Sequence, residues 1–130
     1  MKQFTYDKTE KLKSRKQIEQ IFGEGKSFTV FPVKVLYLEV GGQDSRVKTG
    51  VGVSTRNFKK AVQRNRIRRL MREAYRTEKI PLHDHLEKNN KHAALFLLYI
   101  DKVMPEYVFL KEKMKLVVRR LVKELSETTS

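Results

Sequence analysis

Between Arg56 and Arg76 the chain sets nine cationic side chains (Arg56, Lys59, Lys60, Arg64, Arg66, Arg68, Arg69, Arg72 and Arg76) against a single acid, Glu73. This stretch of 21 residues therefore holds +8 of the formal +14 carried by all 130. Seven of the nine are arginine. A guanidinium is a planar fork that grips phosphate oxygens bidentately and stacks on bases, whereas an ammonium is only a point charge. The chemistry on offer is recognition of a polyanion, with Asn65 able to add hydrogen bonds to a base edge, ribose or phosphate. A solvated charged face normally mixes both signs, and this one does not.

Spacing sharpens the point. On a helical wheel with Arg64 at zero, Ile67, Leu70, Met71 and Ala74 fall between roughly 240° and 340°. Arg64, Arg68, Arg69, Arg72 and Arg76 fall between roughly 0° and 140°, with Asn65 among them, and Arg66 stands apart near 200°. One flank is expected to pack and the adjacent flank to present guanidinium groups, with Arg66 free to brace a neighbouring element. Like charges at i, i+4 weaken an isolated helix, so stacking Arg64, Arg68 and Arg72 makes sense against a polyanion.

The parts for hydrolysis by the chain itself are missing from the sequence. The one cluster resembling a metal or acid–base site is His83-Asp84-His85 with Glu87 nearby. It follows Pro81 in what reads as a polar connector, with no second cluster in sequence to complete a shell. No serine or threonine has an obvious histidine partner, and no P-loop occurs. We expect no catalytic residue and no metal ligand. Cysteine is absent, which excludes disulfides and thiolate sites. Met1–Glu10 is polar, and the longest apolar run, Ala93–Ile100, is far below the ~20 residues needed to cross a bilayer. A cytoplasmic chain without membrane contact is expected.

The elements that must position the basic run read as follows. Leu12, Ile18, Ile21 and Phe22 give a first helix over Thr9–Gly25. Phe31–Val40, entered through Pro32, is a strand that ends in a turn over Gly41–Ser45. Arg46–Ser54 is a second strand with Val47, Thr49, Val51 and Val53 on one face. Gly50 and Gly52 lie on the other, leaving room for a backbone or an aromatic to come close. The basic helix spans about Phe58–Lys79 and stops before Pro81; Leu82–Lys91 is the connector. Ala93–Ile100 is a strand covered on both faces. Pro105 opens a last helix with a stripe of Leu110, Met114, Val117, Val118, Leu121 and Leu125; the tail from Ser126 is polar. The sum is one α/β sandwich (a two-layer α+β arrangement) in the order α-β-β-(β)-α-β-α. It forms a single domain over residues 1–130, with an ordered core of about 9–125.

The run Lys60-Ala-Val-Gln-Arg-Asn-Arg-Ile-Arg-Arg-Leu-Met-Arg-Glu-Ala74 resembles the signature of the bacterial ribonuclease P protein family, an Arg-Asn-Arg sequence followed by paired basic residues. Lys11–Gly25 resembles the family's first helix and its closing glycine, and Thr49–Phe58 the strand and basic turn before the signature helix. The resemblance implies a sandwich like the second domain of the ribosomal S5 protein, with a left-handed βαβ crossover against the usual rule. It implies that the signature helix (Arg64, Asn65, Arg66, Arg68, Arg69, Arg72, Arg76, flanked by Arg56, Lys59 and Lys60) meets the catalytic RNA subunit. It further implies a cleft between first helix and sheet that holds the 5′ leader of precursor tRNA, with Ile18, Phe22 and Tyr37 as its candidates. Ile18 stands where many members carry an aromatic. Single-stranded bases stack on rings with little sequence preference, which suits a leader of any sequence. For Phe22 the plainer alternative is core packing.

The resemblance also implies that cleavage belongs to the RNA. No cofactor is then bound by the protein alone, Mg²⁺ is expected in the RNA-containing holoenzyme, and the protein alone is a monomer. Two other classes share the charge and size: a ribosomal-type structural RNA-binding protein, and a reader of duplex DNA. The second lacks a helix-turn-helix partner or dimerising heptads. A membrane-surface helix fails for want of Trp or Phe anchors on the apolar arc.

Overall fold

Strands bury alternate residues on opposite faces, and two separate apolar clusters in this molecule divide its sheet in just that way. The computed structural model describes Leu12, residues 14–41 and residues 46–127. Within them lie α1 (Arg15–Glu24), β1 (Lys26–Val30), β2 (Val33–Val40), β3 (Val47–Val53), α2 (Ala61–Glu78), α3 (Ile80–Lys88), β4 (His92–Tyr99) and α4 (Tyr107–Glu127). The sheet order is β1-β2-β4-β3. β2 runs antiparallel to both β1 and β4, and β3 runs parallel to β4, joined to it through α2 and α3. The mixed α/β class agrees with the sequence reading.

The larger cluster takes Val33, Val35 and Tyr37 of β2, Val47 and Val53 of β3, and Ala93, Leu95, Leu97 and Tyr99 of β4. Helices α2, α3 and α4 close over it. The α4 stripe of Leu110, Met114, Val117, Val118, Leu121 and Leu125 is wholly buried, as its spacing demands. The smaller cluster, on the other sheet face, is Leu12, Ile21, Leu36 and Ala94, with Ile18, Leu38, Val40 and Phe96 partly buried around it. Among the described residues α1 is the only helix on this face, and it leaves part of the sheet without a helical cover.

Several boundaries differ from the sequence reading, each for a local reason. Helix α1 starts at Arg15 because Ser14 caps it, its hydroxyl accepting from the Gln17 N–H at 3.2 Å. Leu12 lies outside the helix, its N–H bonded to the Thr49 carbonyl at 3.2 Å; residues 9–11 and 13 of the expected helix lie outside the described residues. The strand expected over Phe31–Val40 starts at Val33, because Phe31-Pro32 is the turn of a hairpin whose first strand, β1, the sequence reading did not include. The polar turn over 42–45 is also outside the described residues. α2 begins three residues late, since Phe58 is buried and tilts against Tyr99 with ring centres 6.2 Å apart. The supposed connector is helix α3, which Pro81 opens at its first turn and which buries Leu82 and Leu86 one turn apart. α4 runs on to Glu127, past the expected start of the tail.

Candidate nucleic-acid interface

The basic helix is held by burial of Ile67, Met71, Ala74 and Tyr75, so its outward flank is set by the core. Tyr75 extends the buried arc to roughly 20° on the wheel used above. Arg64 and Arg68 therefore sit at the margin of the packed flank and are half-buried, while Asn65, Arg66, Arg69 and Arg72 are exposed. Arg66, expected to brace a neighbour, belongs to the open face instead. Arg64 does the bracing: its Nη1 donates to the carbonyls of Phe58 at 2.9 Å and Lys59 at 2.7 Å. It thereby holds the chain that enters α2. Arg68 donates to the Asn65 side chain at 2.9 Å. Arg76 pairs with Glu73, with Nε donating at 3.1 Å, and this holds the Glu73 carboxyl below its usual range. Arg66, Arg69 and Arg72 make no hydrogen bond or ion pair among the described residues. One flank of α2 is thus a cationic plate, with its only acid, Glu73, tied to Arg76.

The loop from β3 into α2 extends the positive surface. Arg56, Lys59 and Lys60 are all exposed there. Asn57 tethers the loop: its side-chain amide donates to the carbonyls of Ile100 at 3.2 Å and Asp101 at 3.4 Å. Beside it opens a hollow of about 610 Å³ lined by Ser54, Thr55, Arg56, Asn57, Leu98, Ile100 and Lys102. Tyr99, buried against the same loop, donates to the Val103 carbonyl at 2.6 Å, and burial pushes its hydroxyl up to about 12.

The α1 side is apolar and aromatic. Gly25 lets α1 come down on β2, because a Cβ there would sit 2.5 Å from the Ile21 carbonyl oxygen and 2.8 Å from that of Tyr37. The helix then lays Ile18 and Phe22 along the open sheet face. Phe22 remains 51% exposed, which sets core packing aside as its whole role. Its ring meets Phe96 of β4 at 5.2 Å between centres, tilted by 59°.

Tyr37 does not join them, and the expectation that it lines this cleft is corrected. It lies on the opposite face of β2, 3% exposed in the larger core, against Phe28 at 5.9 Å. Its hydroxyl donates to Glu124 of α4 at 3.2 Å. Burial, then the Glu124 charge, push it up to about 12. Among the residues that share the α1 face with Phe22 are Lys34, Leu36 and Leu38 of β2 and Phe96 and Leu98 of β4, by alternation and register. Sequence reasoning missed Phe96, Lys34 and Leu98. The alternating Gly50 and Gly52 did signal a close aromatic, but only strand pairing identifies it as Phe96.

His83, Asp84 and His85 stand on α3. His83 lies 3.4 Å from the Tyr75 hydroxyl, and His85 3.4 Å from both the Asn89 amide and the Ser126 hydroxyl. Among the described residues no three His, Asp or Glu side chains gather into a group that could hold a metal, and no helix is long and apolar enough to cross a membrane.

A family model described as Ribonuclease P matches residues 6–122. The chain belongs to the ribonuclease P protein family. The ribonuclease P protein component of Porphyromonas gingivalis W83 is 37% identical over 107 residues, covering 80% of this chain and 77% of that one. That of Chlorobium phaeobacteroides is 32% identical over 133 residues, covering 94% and 90%. Among solved structures, the Staphylococcus aureus RNase P protein superposes with a TM-score of 0.67 at 17% identity, over 88% of this chain and 96% of that chain. The Thermotoga maritima RNase P protein gives 0.65 at 24%, over 85% and 96%. Those structures share the ribonuclease P protein fold described above, and the family assigns the chain the role of ribonuclease P protein subunit in tRNA processing.

Proposed function

We propose that this subunit binds the catalytic RNA of ribonuclease P through the outward flank of α2, and the 5′ leader of precursor tRNA along the open α1 side of the sheet. It would assist RNA-catalysed endonucleolytic removal of that leader in the cytoplasm. The observation that carries the reading is the division of labour across the molecule. Arg66, Arg69 and Arg72 face outward from a helix locked by its own core, while Phe22 stays half exposed over the far side of the sheet. Uncommitted guanidinium groups suit a folded RNA with closely spaced phosphates. Exposed rings suit a single strand whose bases can lie on them whatever their identity.

The protein supplies charge and shape. The phosphodiester chemistry belongs to the RNA, whose phosphates hold the Mg²⁺ of the holoenzyme. Where leader and catalytic RNA converge, the +14 protein reduces phosphate repulsion and with it the Mg²⁺ that assembly requires. Reconstitution tests this directly. Adding the protein to ribonuclease P RNA at low Mg²⁺ should restore precursor cleavage, and precursors with long leaders should bind more tightly than leaderless tRNA. Equal affinity for both would remove the leader role. Binding without restored cleavage would favour a structural RNA-binding protein instead.

A further inference from the structure

We infer that Phe96 and Phe22 together form a one-nucleobase subsite, and that Gly52 sets its depth. The inference rests on the leader-binding reading of the α1 side and names the residues that take one base. Phe22 projects from α1 with half its surface free, and Phe96 lies on the sheet beside it, ring centres 5.2 Å apart and tilted by 59°. Two rings at that angle make a corner. A planar base can lie flat on one ring and present its edge to the other, the tilted arrangement that aromatic quadrupoles favour.

The position of Phe96 is built into the neighbouring strand. A Cβ at Gly50 would stand 3.1 Å from the Phe96 Cδ2, and one at Gly52 would stand 2.8 Å from Cζ and 2.9 Å from Cε1. The ring lies flat over two glycines of β3, where β-branched residues would otherwise suit the strand. Any side chain at residue 52 would push the ring up into the corner and close it. Lys34 shares this face, next to Leu98 in register and diagonal to Phe96. It has no ion pair among the described residues, so its ammonium is available for the phosphate beside the bound base. Among the described residues the corner offers rings and a cation and no side chain placed to read a base edge, so it accepts purines and pyrimidines alike.

The test uses the reconstituted holoenzyme and precursor tRNAs carrying 2-aminopurine at successive leader positions. With the wild-type protein, fluorescence should be quenched strongly at one position by stacking. Phe96→Leu keeps apolar volume but removes the ring, and Gly52→Ala keeps the ring but displaces it. Each should abolish that quench and weaken precursor binding roughly five- to hundred-fold, the equivalent of one base stack. The double variant should do no worse than the stronger single one. If both single variants keep the quench and the affinity while long leaders still outbind leaderless tRNA, the subsite is wrong and the leader reading stands. If the wild type shows no leader dependence at all, both fall.

Discussion

The two faces of this sheet are finished differently. On the helix-layer side, three helices seal a core in which Ile67, Met71, Leu95, Leu97, Leu110 and Leu121 are all fully buried. On the other side one short helix covers Leu36 and Ala94 and leaves Phe22 in solvent. The sealed side can carry a dense like-charged helix because its packing, not its surface, holds that helix in place. The open side keeps apolar surface in solvent at the expense of burial. Charge acts at a distance and fades with salt, whereas ring stacking acts only in contact and tolerates salt. On the proposed reading, the molecule separates long-range capture from short-range grip.

The largest expected effect tests that asymmetry. Met71→Ala should cost about 2–5 kcal/mol of stability, as for other buried large-to-small changes, while Ile18→Ala, half exposed on the open side, should cost under about 1 kcal/mol. Urea unfolding of the two variants compares them, and equal costs would erase the distinction between the faces. Gly25→Ala comes next. Its Cβ would meet two backbone oxygens that cannot swing away, so the α1–β2 approach must widen, at about 1–3 kcal/mol. Leader-dependent affinity should fall with it, while binding of the isolated ribonuclease P RNA should not.

A third comparison lies within α2 itself. Arg69→Gln and Arg72→Gln should leave stability within about 0.5 kcal/mol and flatten the salt dependence of RNA binding by about 0.7–0.9 in log–log slope for each phosphate left unneutralised. Arg64→Gln should instead lower stability by about 1–2 kcal/mol, because two carbonyls are deprived of their donor. An exposed-arginine variant with an unchanged slope would deny that side chain a phosphate partner. The smallest effect is on the sealed side at high pH. Tyr37 is raised from the usual 10 to about 12, so the unfolded chain loses its phenolic proton first. Its contribution is complete below pH 10 and is lost as pH rises toward 12. Tyr37→Phe should therefore flatten the fall in melting temperature across that window, relative to wild type.

Periodicity revealed what periodicity controls: the α4 stripe, the two faces of β3, and the apolar arc of α2 all stand where spacing puts them. It could not reveal β1, because Lys26-Ser-Phe-Thr-Val30 is short, half polar and begins one residue after a helix-stopping glycine. Pro81 was legible only as a stop. It is a start here, because a proline in the first turn surrenders no helical hydrogen bond. Tyr37 went to the wrong face because a strand repeats every two residues, so a register uncertain by one residue inverts every side chain. The outward arc of α2 was read one step off for a related reason. Tyr75 is amphipathic, and only the packed structure shows that its ring is buried and its neighbours Arg64 and Arg68 are drawn to the margin.

One amide group, that of Asn57, fastens the entry to α2 to the residues that leave β4. Arg56 and Lys102 sit on the two stretches so fastened, on either rim of one hollow. Swinging either stretch out alone breaks both of these bonds, so exchange of their backbone amides with solvent should be coupled, and a proteolytic nick in one should loosen its counterpart.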